Sequence, residues 1–286
     1  MQVTLIEVPY HAGDDRFGSS KGPRRLLEAG AEEVFAARNV GVAVEHVDRA
    51  GPFRDTAVSA ARVNGMLAEV VRRTIEDGRL PIVLSGSCNS SQGVLSGFDH
   101  RDCGAVWLDA HADFNTPETT ESGFFAGMSM AVVTGHCYVN YWAQSGDNTP
   151  LAEDAVAMFG VRDLSPDAER DRLERSPIAV VAWRDGGAQS DVQATLDQLA
   201  QRVDEIYLHV DFDAFAPDVA PGVVDEPVSG GLSVEDAENI IRGTAARFRI
   251  RAGTLATYTP DLDVDDKTLK VGLRLLDLLA AYASQA

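Results

Sequence analysis

The sequence predicts a doubly wound α/β protein built on a mainly parallel sheet of eight strands. Eight short β-branched or aliphatic runs alternate with longer segments of helical periodicity, the pattern of strand–helix–strand units. Several of the runs are apolar throughout, as strands covered on both faces are. No linker, repeat, low-complexity tract or shift in composition divides residues 1–286, so the chain reads as a single domain.

In chain order the strand runs are VTLIEV (3–8), VAVEHV (42–47), PIVLS (81–85), AVWLD (105–109), AVAMFG (155–160), IAVVAW (178–183), IYLHVD (206–211) and GTLATY (253–258). The first predicted helix, 24–38, follows Gly22-Pro23, and Pro favours a helix's first turn. The second, 56–78, carries Val63, Leu67, Val70 and Val71 at helical spacing. A third, 188–203, has Val192, Leu196 and Leu199 on one face. Ser233-Val234-Glu235-Asp236 is an N-cap signature opening a helix over 234–247. The last, 267–284, is rich in Leu.

The balance of charge narrows the partners. Lys and Arg number 25 against 44 Asp and Glu, a formal charge of −19, which would repel phosphate backbones. Nucleic acid is excluded as a general partner, and no basic cluster suits an anionic membrane surface. No apolar run approaches the roughly 20 residues that span a bilayer. The opening MQVTLIEVPYHAGDD lacks the pattern of a secretory signal. Cys88, Cys103 and Cys137 are too few and scattered for a disulfide framework. Together these features lead us to expect a cytoplasmic protein.

In doubly wound sheets reactive groups collect outside the carboxyl ends of the strands. The run 105–109 ends in Asp109-Ala110-His111-Ala112-Asp113, followed by Phe114-Asn115-Thr116-Pro117, and the run 206–211 ends in Asp211-Phe212-Asp213. The run 81–85 leads into Gly86-Ser87-Cys88. Side chains at i and i+2 of a strand share a direction, so Asp109, His111 and Asp113 can converge, as can Asp211 with Asp213. Four carboxylates held so closely would raise one another's pKa. One divalent cation or a pair relieves that repulsion, and bridging carboxylates set two ions roughly 3.5–4 Å apart, where they ionise a shared water. A single Asp-x-Asp after a strand is more often a turn or cap; two such clusters in one chain point to metal.

The stretch Asp109-Ala-His111-Ala-Asp113-Phe-Asn115-Thr-Pro117 resembles the signature of the ureohydrolase superfamily, which includes arginases, agmatinases and formimidoylglutamases. Asp211-Phe-Asp213 with Pro217, and Gly230-Gly231-Leu232 ahead of a helix, resemble it too. The similarity runs from Gly22-Pro23 to Pro260. It implies a three-layer α/β/α fold, two divalent cations (manganese above all), hydrolysis of a C–N bond in a guanidino or amidine compound, and a homotrimer or homohexamer. It also implies the ligands: Cys88, Asp109, Asp113 and Asp211 for one ion, Asp109, His111, Asp211 and Asp213 for the other. Asp113 would further orient the bridging hydroxide, a catalytic role.

Four departures from that pattern bear on chemistry. Cys88 stands where the family has a His ligand; thiolate prefers zinc or iron to manganese, and the other reading of a lone cysteine is a small buried thiol. Phe124 and Ala126 replace an Asn and the His that serves as proton shuttle. Ser165, in Gly160-Val-Arg162-Asp163-Leu-Ser165-Pro166, replaces an Asp that meets the substrate's α-amino group. Thr257 replaces the Glu that holds a guanidinium, so free guanidinium would be poorly held. Asn115 and Ser122 match substrate-binding positions, although both also suit ordinary turns. His136 reads as a surface or capping residue.

The expected function is metal-dependent hydrolysis of a guanidino, N-hydroxyguanidino or related amidine compound. Cys88 is similar in this to N-hydroxyarginine amidinohydrolases. The competing expectations are a formimidoyl-amino-acid hydrolase and a catalytically impaired metal-binding relative acting as a partner or scaffold subunit.

Overall fold

The computed structural model describes residues 1–48, 51–223 and 227–285. Its strands are β1 (Gln2–Val8), β2 (Val42–His46), β3 (Arg79–Ser85), β4 (Cys103–Leu108), β5 (Val156–Phe159), β6 (Ala179–Val181), β7 (Trp183–Arg184), β8 (Gly187–Ala188), β9 (Glu205–Asp211) and β10 (Arg249–Ala256). Eight of them form one sheet in the order β2-β1-β3-β10-β9-β4-β5-β6, parallel at every pairing. The eight predicted strands are the eight strands of this sheet, with ends shifted by a few residues.

The helices are α1 (Gly22–Glu28), α2 (Ala31–Ala36), α3 (Thr56–Glu76), α4 (Ser90–Ser96), α5 (Ser129–Val133), α6 (Val139–Trp142), α7 (Asp167–Leu173), α8 (Val192–Leu199), α9 (Val234–Arg247) and α10 (Lys267–Gln285). They cover the two faces of the sheet as separate layers. Leu26, Phe35, Leu196, Ile240 and Leu276, from α1, α2, α8, α9 and α10, pack on one face with Leu5, Ile82 and Leu108. Val63, Leu67, Leu95, Val132 and Trp142, from α3, α4, α5 and α6, pack on the other with Ile6, Val83 and Trp107. Neighbouring residues of a strand thus enter opposite cores, which is why these strands are apolar throughout. This is the three-layer α/β/α fold.

Several local expectations change. The helix predicted over 24–38 is two helices, broken at Gly30, whose φ of +100° only glycine adopts readily. The helix predicted over 188–203 is shorter, because Asp191 caps it by accepting from Gln193 N and Ala194 N. The run 178–183 leaves the sheet at Val181, and Trp183 begins the small antiparallel hairpin β7–β8. Ser233 and Asp236 form the expected capping box of α9. Short α4 to α7 carry too little periodicity to be seen in sequence.

Gly22 shows how closely α1 docks over the sheet's carboxyl edge. Its backbone is ordinary helix, but a Cβ there would lie 2.2 Å from the carbonyl oxygen of Tyr258, just past β10. We expect Gly22→Ala to cost about 1–3 kcal/mol by overpacking, read as a lower denaturation midpoint at constant m; an unchanged midpoint would contradict this docking.

Candidate metal centre

The order β3-β10-β9-β4 puts four adjacent strands at the middle of the sheet, and their carboxyl ends carry Cys88, Thr257, Asp211 with Asp213, and Asp109 to Asp113. The ligand atoms of Cys88, Asp109 and Asp211 lie within 4.8 Å of one another, and so do those of Asp109, His111 and Asp213. Asp109 belongs to both groups. Asp113, and Asp211 in the imidazole group, fall outside these mutual distances.

Each side chain is aimed by bonds the loops make among themselves. Asp109 Oδ2 accepts from Trp107 Nε1 at 2.9 Å, and its Oδ1 accepts from His111 N at 2.7 Å. Asp213 Oδ1 accepts from Ala110 N at 3.0 Å, tying the loop after β9 to the loop after β4. Asp213 N donates to Asp211 Oδ1 at 2.8 Å, fixing the turn that follows β9. Arg162 clamps that turn from below, donating to the carbonyls of Ala214 and Asp213. The Cys88 thiol donates to Asp211 Oδ2 at 2.8 Å. Its loop is held by Ser85 Oγ donating to Ser87 O, and by Asn89 Nδ2 donating to Phe125 O.

Strand alternation does not account for Asp113. β4 stops at Leu108, and Asp113 turns back with a left-handed φ of +50°. Its carbonyl accepts from Met130 N and Ala131 N, two first-turn donors of α5 that would otherwise lack partners. The carboxyl Oδ2 of Asp113 is buried with no hydrogen-bond partner.

The electrostatics are those of a crowded acidic cluster. Burial, then Asp213, pushes Asp109 up to about 6. Burial, then Asp109, holds Asp113 well above the carboxylate range, and burial with Asp213 does the same to Asp211. Burial raises the Cys88 thiol, and Asp211 adds to it. Burial alone would lower His111, but Asp213 and Asp109 override it and raise the imidazole; Asp213 Oδ2 is 3.0 Å from His111 Nδ1. Burial would raise Asp213, and this same imidazole outweighs it and brings the carboxyl down. A buried carboxylate oxygen without a donor, beside three more carboxylates, an imidazole and a thiol, is a donor set that fits divalent cations.

A cavity of about 320 Å³ opens onto this cluster. Cys88, His111, Asp113, Asp211 and Asp213 line it, and so do Asn115, Ser122 and Thr257. The turn reading of Asn115 and Ser122 is also realised: Asn115 Nδ2 donates to Ser165 O, and Ser122 Oγ accepts from Phe124 N. Thr257 directs its hydroxyl to Asp211 Oδ1, so it orients a carboxylate. His136 pairs with Glu153 and is absent from the cavity lining. Cys103 and Cys137 are buried free thiols.

Two titratable lining residues escaped the sequence reading. His11 lies just beyond the carboxyl end of β1, and that position was its only signal. Glu169, on α7, accepts from Phe114 N at 2.9 Å, and burial raises it to about 7. Its ordinary place in a short helix gave no signal.

Fold and cluster define a parallel α/β protein with a metal-type site at the carboxyl edge of its sheet. The chain belongs to the arginase family, whose model matches residues 1–281. It is 28% identical over 292 residues to arginase of Bacillus caldovelox, with 97% of each chain covered. It is 29% identical over 291 residues to arginase of Bacillus subtilis (strain 168), again with 97% of each covered. The crystal structure of arginase from Bacillus subtilis superimposes with a TM-score of 0.87 at 28% identity, covering 98% of both chains. Proclavaminate amidino hydrolase from Streptomyces clavuligerus shares the fold, with a TM-score of 0.71 at 19% identity over 100% of this chain and 92% of that one. Among the described residues, no helix is long and apolar enough to cross a membrane.

Proposed function

We propose that this protein hydrolyses a C–N bond of a guanidino, N-hydroxyguanidino or related amidine compound at a pair of divalent cations. The observation that carries the reading is the pair of donor groups that share Asp109 and whose other members, Cys88, Asp211, His111 and Asp213, line a cavity, in a chain of the arginase family. Cys88, Asp109, Asp113 and Asp211 would hold one cation, and Asp109, His111, Asp211 and Asp213 the other. When bound, such a pair supplies a water ionised near neutral pH and withdraws charge from the carbon under attack.

The remaining work falls to the chain's own side chains. Asp113, with its unpartnered Oδ2, would accept a hydrogen bond from the nucleophile and aim its lone pair at the substrate carbon. Thr257 holds Asp211 in place, as Trp107 holds Asp109. Asn115, Ser122, Thr120 and Ser165 offer neutral polar atoms where the substrate's far end would lie. Thr257 gives a guanidinium no charge partner, and this favours a less basic N-hydroxyguanidine over free arginine. Manganese is the proposed metal, with zinc or iron(II) favoured instead to the degree that the Cys88 sulfur ligates. A homotrimer or homohexamer is the proposed assembly.

The test combines elemental analysis with product release from arginine, agmatine, guanidinobutyrate, N-hydroxyarginine and formimidoylglutamate. We expect two metal equivalents per chain and the fastest turnover on N-hydroxyarginine. A protein that binds no manganese, zinc or iron would overturn the reading. Turnover of formimidoylglutamate alone would move the activity to a different amidine class.

A further inference from the structure

A buried imidazole that the proposed chemistry has not yet used stands in the wall of the same cavity. His11 lines it together with Cys88 and Asp113. Its backbone is pinned on both sides: His11 N donates to Asp14 O at 2.7 Å, and Asp14 N donates to His11 O at 2.9 Å. The ring is pinned too. Nδ1 lies 3.2 Å from the carbonyl oxygen of Gly86, two residues before Cys88. A carbonyl only accepts, so in that bond Nδ1 carries the hydrogen and Nε2 of the neutral ring carries a lone pair. No described residue bonds Nε2.

The faces of the ring are covered. Phe17 stacks on it at 4.5 Å between centroids, and Phe124 tilts against it at 5.2 Å. Burial lowers its pKa, so the resting imidazole is neutral, and the Asp14 charge works the other way. Two aromatic faces stabilise a transient imidazolium through their quadrupoles.

From this geometry, and resting on the hydrolase reading above, we infer that His11 is the proton carrier of the reaction, passing a proton from the entering water to the departing nitrogen through Nε2. It fills the place left by the His that Ala126 replaces. The entering water forms the new C–O bond, and one of its protons moves to Nε2. The imidazolium returns that proton to the departing nitrogen as the C–N bond breaks, and the ring ends the cycle neutral. The second water proton stays on the added oxygen until the C=O bond forms, when Asp113 passes it to the same nitrogen. A guanidinium and water thus give a urea and an ammonium, with charge conserved.

The test is His11→Asn in the metal-loaded full-length protein. An Asn amide still donates to the Gly86 carbonyl, which would satisfy a purely structural role, but it carries no proton between water and substrate. We expect bound metal and melting temperature to be unchanged, KM to stay within about threefold, and kcat to fall about 10²–10⁴-fold. Added free imidazole should restore part of kcat. His11→Gln serves if the Asn variant fails to fold. A variant with the wild-type kcat overturns the role, and so does loss of metal or of stability in both variants. Wild-type protein silent on every compound of the panel overturns the hydrolase reading and the role with it; wild-type turnover with an undiminished variant overturns the role alone.

Discussion

Asp109→Ala is expected to leave the protein with neither of the two metal equivalents proposed for it and to reduce kcat/KM by at least about 10⁴, since an unassisted water has a pKa near 15.7 in place of about 7. The reason is position. Asp109 is the residue that both close donor groups share, one with Cys88 and Asp211, the other with His111 and Asp213. Trp107 Nε1 and His111 N hold its two oxygens in place. Sequence reasoning makes Asp109 and Asp211 equal bridges. In the folded chain Asp211 stands close only in the sulfur-side group, and its Oδ1 already accepts from Asp213 N. Asp211→Ala should therefore strip the sulfur-side ion first. Without metal the Asp109→Ala protein should be at least as stable as stripped wild type, because one of four crowded carboxylates is gone. Elemental analysis on the folded variant decides the matter: two retained equivalents would contradict the assignment.

Stripping the metal should also make stability depend steeply on pH. Asp109, Asp113 and Asp211 are all raised in the fold by burial and then by neighbouring carboxylates, Asp213 among them in each case. A carboxyl whose folded pKa is raised binds its proton more tightly when folded. Its contribution is whole below the unfolded value near 4 and is lost as pH rises through the folded value. For Asp109 that loss begins near pH 4 and is complete once the pH passes about 6, and for the other two it extends higher. His111, raised by Asp213 and Asp109, is lost in the same direction above its unfolded value. Asp213, lowered by His111, has the opposite sign, but it acts only below about pH 4. Between pH 4 and 8 the raised groups therefore dominate.

The Asp109 shift from about 3.9 to about 6 alone is of order 3 kcal/mol, or roughly 6–12 °C for a chain of this size. We expect the chelator-treated protein to melt progressively lower from pH 4 to pH 8. Restored divalent metal should raise the melting temperature far more at pH 8 than at pH 5, because metal binds the deprotonated ligands. A stripped protein equally stable at both ends, or an equal metal effect at both, would sink the picture of carboxylates crowded around a cation site.

Much of this was legible before folding, for identifiable reasons. Strands such as VTLIEV and AVWLD sit between two helical layers, and burial on both faces forces the unbroken apolar runs that announced them. Ser233 and Asp236 advertise a helix start because a capping box is local chemistry, complete within four residues. The acidic motifs were visible because each lies within five residues of a strand end. Other features had no local cause. The hairpin β7–β8 takes Trp183 out of a run that reads as one strand, and Asp113 enters the site by a left-handed turn that alternation along a strand does not foresee. His11 is an isolated histidine in an N-terminal loop, marked only by its place just beyond β1.

By itself the sequence determined the class: parallel strands, helices between them, and carboxylates, imidazole and thiol stationed at strand ends. Tertiary structure alone decided which strand ends meet. The chain passes from β3 to β4 across two empty places in the sheet and later returns β9 and β10 to fill them, which brings Cys88, Thr257, Asp211 and Asp109 together from four separate stretches. Strand order is set by which helices cover which face over the whole chain. A window of residues records the burial of each strand, but it does not record the identity of its neighbours.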